Sequence, residues 1–196
     1  MLNHFVSIDR NSGDNMLVGN TQTHYGWISI TFHWSVAILT IALFFLGIWM
    51  VELDYYDNWY QQAPWWHKGL GVMTLILLIM RWVWSLFGAS PSALSSISAW
   101  QQKAAHWVHS LMNLLILIIC VSGYLIVTAK GKGLAVFDWF TIPSLVSNVA
   151  NLEDLAGDVH YYLAYLLMAL VLLHILAALL HHFVYKDKTL KRMFGQ

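Results

Sequence analysis

The sequence predicts an all-α fold, an integral membrane four-helix bundle with both termini cytoplasmic, and three observations carry that reading. The 196 residues are 59% hydrophobic and only 10% charged, with a mean hydropathy of +0.59, well above the norm for a soluble domain. Four apolar stretches each exceed the ~20 residues that a helix needs to cross the hydrocarbon core. Tryptophan and tyrosine crowd the ends of those stretches (Tyr55, Tyr56, Trp59, Trp65, Trp66, Trp107, Tyr161), as in the aromatic belt of a membrane interface.

The elements follow in chain order. Residues 1–24 form a polar segment that holds no apolar core of the kind a signal peptide needs, and residues 25–196 form the membrane domain. The spans are expected at about 27–51, 66–87, 106–128 and 159–184. Between them lie "ELDYYDNWYQQAP", "GASPSALSSISAWQQ" and a longer connection over 129–158, which are polar, acidic or rich in Gly, Ser and Pro. There is no internal repeat and no second domain. The single cysteine, Cys120, sits in an apolar segment and has no partner for an internal disulfide; inert packing is its expected role. Zero formal net charge, with no basic run interleaved with aromatics, argues against a nucleic-acid partner.

Basic residues set the orientation. An even number of spans puts both termini on one side with the connection between the second and third helices. That side holds Arg10, Arg81, Lys103, Lys186, Lys188, Lys191 and Arg192, against Lys68, Lys130 and Lys132 on the other. The positive-inside rule makes the first side cytoplasmic. The opposite face, periplasmic in a bacterial inner membrane, carries Glu52, Asp54, Asp57, Asp138, Glu153, Asp154 and Asp158.

Histidines inside the spans are the chemical signal. His160 and His174 are fourteen residues apart, about 40° short of four full helical turns, so they share a face, roughly 21 Å apart along the axis. The fourth helix runs inward, placing His160 near the outer surface and His174 deep on the inner side. His67 opens the second helix at the outer end, and His33 lies eighteen residues before Val51 near the inner surface. Two layers result: His67 with His160 outside, His33 with His174 inside. A lone histidine in a span is commonly an interhelical hydrogen-bonding group; four that pair at two depths are not explained that way.

Two imidazoles facing one another across a bundle supply what a six-coordinate haem iron needs, in a form suited to electron transfer. The reading is therefore two haem b groups, bound without covalent attachment because no Cys-x-x-Cys-His motif exists. Gly47 lies fourteen residues after His33 and Gly123 fourteen after His109, small residues at the outer level that leave room for a flat macrocycle or allow close helix packing. Arg81 lies fourteen after His67, at the inner level. A cation there is costly unless paired or snorkelling, and a haem propionate would suit its guanidinium. Lys68 could serve the outer haem in the same way. His109 lies at the same depth as His33 and His174, so three candidates compete for two inner positions, and periodicity does not choose between them.

Longer stretches carry a family likeness. "FHW" (32–34), "GIWMVELDYYDNWYQQAPWWHKGLGV" (47–72), "SGYLIVTAKGK" (122–132) and "HHFVYKDKTLKRM" (181–193) resemble the bacterial cytochrome b561 family of small four-helix, di-haem membrane proteins, over roughly residues 25–194. The resemblance implies one haem between the first and fourth helices and one between the second and fourth. Carried over, His33 and His174 become the inner ligands and His67 and His160 the outer, with His109 excluded. It also implies electron transfer between ubiquinone or another membrane quinone and a periplasmic-side partner. Some relatives are thought to act as superoxide oxidases reducing ubiquinone. This chain looks nearer a branch found alongside periplasmic isoprenoid-binding proteins. A histidine-lined metal-ion transporter is the alternative from another class, since imidazole also binds copper and zinc; it lacks carboxylates or Met/Cys clusters in register with the histidines.

A quinone needs an interfacial site beside a group that exchanges protons. His106, His109, His181 and His182 gather at the inner ends of the third and fourth helices. His181 lies seven residues beyond His174, about 20° from its face, and imidazole titrates near neutral pH. His109 and His181 are the residues expected to serve a quinone on the inner side.

Overall fold

The computed structural model describes residues 18–94, 97–146 and 149–196; positions 1–17 of the expected polar N-terminal segment lie outside the described residues. Four long helices dominate: α1 (Trp27–Val51), α2 (Gln62–Phe87), α3 (Ala99–Thr128) and α4 (Leu152–Leu180). All four are long and apolar enough to cross a membrane.

Three of the helices begin earlier than their apolar cores suggested, and each has a local reason. α2 starts at Gln62 because Pro64 falls in its first turn, where a backbone N–H has no intrahelical partner and its loss is harmless. α3 starts at Ala99, after Ser98, whose backbone N–H and hydroxyl both donate to Gln101 Oε1 at 3.0 and 2.7 Å; Gln101 thus supplies the return half of a capping box. α4 starts at Leu152, with Glu153 and Asp154 in its first turn, where negative charge complements the helix dipole. Asn151 enters it in the left-handed region, φ 58°, a conformation asparagine tolerates. Such polar first turns carry no hydropathy signal.

A second departure is a small antiparallel hairpin, β1 (Leu134–Val136) and β2 (Phe140–Ile142), paired as Leu134↔Ile142 and Val136↔Phe140. The all-α expectation holds for the bundle and is incomplete for this connection. Leu134 and Val136 are buried while Ala135 between them is exposed, the two-residue alternation of a strand with one covered face. The turn holds Phe137 and Asp138 at φ 48° and 59°, and the hairpin packs on α2 and α3. A Cβ on Gly69 would come within 2.4 Å of the Phe137 ring, so glycine permits that ring to cover the N-terminal end of α2. Trp65 Nε1 donates to Asp138 Oδ2 at 3.1 Å, fixing the turn from the α2 side.

Each helix contributes to a mid-bundle core of Val36, Leu78, Leu115, Ile116 and Leu167. Large apolar side chains such as Ile38, Phe45, Leu172 and Leu173 point outward, which suits a lipid surround. At the end away from the hairpin, α4 runs into one π-helical turn, His181–Tyr185, closed by Lys186 in the left-handed region. The chain then folds back through α5 (Thr189–Arg192). Arg192 donates to the carbonyls of Thr23 and Ser92, tying three connections together at that end. Trp34 Nε1 donates to the Met193 carbonyl at 2.9 Å, and its ring packs on Phe194.

Candidate functional site

The four histidines singled out by depth form two pairs in space. His67, in the second turn of α2, faces His160 of α4 with ring centres 6.0 Å apart. His33 of α1 faces His174 of α4 at 6.4 Å. His109 of α3 also approaches His174, more closely, at 5.0 Å.

The His67–His160 pair borders a cavity of about 340 Å³, lined mainly by apolar side chains and by Lys68, Gly71 and Gly123. That volume is in the range of a ligand pocket. His160 Nδ1 lies 2.9 Å from the Ile119 carbonyl and 3.3 Å from Ser122 Oγ. A carbonyl only accepts, so the ring proton sits on Nδ1 and the lone pair is left on Nε2. His67 Nδ1, by contrast, is buried with no hydrogen-bond partner among the described residues. The two glycines chosen by spacing flank this pair. A Cβ on Gly47 would lie 3.2 Å from His67 Cε1, and one on Gly123 would lie 3.1 Å from His160 Cε1.

Arg81 stands at the His33–His174 pair, close enough for its charge to act on His33, His109 and His174. Among the described residues it forms no ion pair. A half-buried guanidinium beside three imidazoles, with no carboxylate against it among the described residues, is an anion site in electrostatic terms. His181 turns to Asp187: its Nδ1 lies 2.5 Å from Asp187 Oδ2. The carboxylate also accepts from the Thr189 backbone N–H at 2.8 Å, a turn contact across Lys188 at the entry to α5. Burial pushes the Asp187 carboxyl up, but the bonds from Thr189 and His181 outweigh it and hold it below its ordinary value.

Such a bundle, with histidine pairs at two depths, matches the prokaryotic cytochrome b561 family model over residues 24–196. The chain belongs to the prokaryotic cytochrome b561 family. It is 43% identical to cytochrome b561 homolog 2 of Escherichia coli (strain K12), over 90% of this chain and 94% of that protein. Cytochrome b561 homolog 1 of the same organism is 28% identical over 88% and 94%. A Yersinia pestis protein named probable superoxide oxidase CybB is 30% identical over 86% and 94%. Membrane electron transfer with haem b is the chemistry of this cytochrome family.

Two polar groups at the site escaped sequence reasoning. Ser122 precedes Gly123, which counting had placed at the outer level, so the same count points to it. Asp187 opens "DKT", an N-cap pattern that marks a helix start and says nothing about His181. Cys120 is half-buried as expected of packing, with its thiol 3.7 Å from the Gly71 carbonyl.

Proposed function

We propose that the protein carries electrons across the bilayer between a periplasmic-side redox partner and the quinone pool, using two haem b groups held by paired histidines. His67 and His160 take the outer group; His33 and His174 take the inner. The observation that carries this is the separation of the rings. A metal–nitrogen bond of about 2.0 Å, plus about 1.15 Å from that nitrogen to its ring centre, taken twice, would put two imidazoles that share one metal atom roughly 6.3 Å apart. The two pairs stand at 6.0 and 6.4 Å. His67 Nδ1, buried without a hydrogen-bond partner among the described residues, and the free Nε2 of His160 both belong to rings that line this cavity, which fits the same group.

Bound haem supplies a reversible one-electron iron couple. The chain's residues hold and orient it. The Ile119 carbonyl and Ser122 fix the tautomer of His160; Gly47 and Gly123 keep the space against the outer rings open; Lys68 and Arg81 offer cations to propionates. The charge asymmetry of the connections supports an inner-membrane protein with cytoplasmic termini. On that side His109 and His181 are the groups proposed to serve a quinone, with Asp187 as the acceptor that holds the His181 ring.

Superoxide oxidation coupled to ubiquinone reduction is a second reading, favoured by the Yersinia relative. A test separates these. Membranes containing the chain should show a sharp reduced-minus-oxidised band in the visible region, reduced by quinol. Colourless protein loaded with zinc or copper would reject electron transfer in favour of metal transport. Reduction by superoxide at a rate matching that by quinol would favour the second reading.

A further inference from the structure

We infer that the outer end of the bundle is a docking surface for a small soluble redox protein carrying net positive charge. This rests on the electron-transfer reading above and adds the character of the partner.

Acidic groups reach this end from every connection around the outer histidine pair. Glu52, Asp54 and Asp57 lie in the α1–α2 connection, Asp138 at the tip of the hairpin, and Asp154 and Asp158 on the first two turns of α4. All six are exposed. Their placement follows the outer site closely. Asp158 precedes His160 by two residues. Asp138 accepts from Trp65, two residues before His67. Glu52 follows by five the glycine that packs on His67.

Few cations oppose them. Lys130 is tied to Glu153, whose hydrogen bond raises the lysine's proton affinity further, so that pair cancels. Six exposed acids then face Lys68 and Lys132, a local balance of six minus two, or four negative charges. A single-signed surface of this kind speeds encounter with an oppositely charged protein and slows a like-charged one. Trp139, exposed at the hairpin tip beside Asp138, adds the flat, amphipathic contact area common at protein interfaces. The face is thus shaped for a cationic protein, and it opposes a small anion.

The test uses the full haem-loaded chain in lipid nanodiscs, reduced and mixed in a stopped-flow instrument with ferric mitochondrial cytochrome c, a small basic protein. One electron leaves the reduced chain and reduces the ferric iron of the probe. Succinylated cytochrome c, with the same haem and reversed surface charge, is the control. The rate constant with the native probe should fall tenfold or more between about 20 and 500 mM salt. With the succinylated probe it should be smaller at low salt and rise with added salt. Glu52→Gln, Asp154→Asn and Asp158→Asn together, compared at equal haem content, should slow the native probe about threefold or more at low salt and little at high salt. Equal rates for both probes would overturn the inference. So would silence with both while quinol still reduces the chain. A colourless chain would overturn the electron-transfer reading itself, and this inference with it.

Discussion

Replacing His33 and His109 one at a time tests which ring completes the inner site. Both approach His174, but at different separations: 6.4 Å for His33 and 5.0 Å for His109. An iron between two imidazoles needs about 6.3 Å between ring centres, from two bonds of about 2.0 Å and the offset of each ring. His33 already meets that figure, whereas His109 would have to withdraw by more than 1 Å within a packed bundle. His33→Ala should therefore leave the inner iron without its second imidazole, giving a high-spin spectrum or loss of one haem of two. His109→Ala should leave both irons low-spin and six-coordinate. Low-temperature electron paramagnetic resonance of the oxidised variants reads spin state at each site directly. A high-spin inner signal from His109→Ala, with His33→Ala unaffected, would refute the geometric reasoning.

Other expectations follow from particular contacts. Gly69→Ala should push Phe137 off the end of α2, costing about 1–3 kcal/mol as an overpacked site, read as a lower thermal midpoint in detergent with the inner haem spared. Arg192→Ala removes hydrogen bonds to the Thr23 and Ser92 carbonyls; about 1–2 kcal/mol should be lost, and protease should cut the C-terminal segment sooner. The lowered Asp187 carboxyl stabilises the fold above its unfolded value near 3.8, and that contribution vanishes as pH falls through the folded value. Hydrogen-exchange protection over residues 186–196, corrected for the intrinsic pH dependence of exchange, should therefore fall in acid below about pH 3.8, and Asp187→Asn should flatten the dependence. His109→Ala and His181→Ala, at full haem content, should slow quinone-dependent haem oxidation; unchanged kinetics in both would remove the inner quinone site.

The bundle was legible because lipid imposes a coarse code: long apolar runs with aromatic ends. Depth was legible too, since a fixed helical rise turns residue spacing into position, and His67–His160 and His33–His174 meet as counting placed them. The helix starts at Gln62, Ala99 and Leu152 were not, because capping by Gln101 or an acidic first turn is a local polar event outside the hydropathic core. The hairpin was missed because strands of three residues are too short for alternation to register, and its turn uses Phe137 and Asp138 where glycine would have been a signal. Periodicity could not rank His33 against His109, as both reach His174's level; the family resemblance and the separation of the rings both favour His33. Asp187 is six residues from His181, and its carboxylate meets that ring only because the chain reverses after a π-helical turn.

The most direct test of the account is the haem count per chain. Pyridine haemochrome analysis of purified protein, set against quantitative amino-acid analysis, should give two non-covalent b-type haems, both extractable with acid acetone. His67→Ala and His33→Ala should each leave one haem, or two of which one is high-spin. A single haem in the unaltered chain would contradict the two-layer arrangement, and none at all would contradict the electron-transfer function.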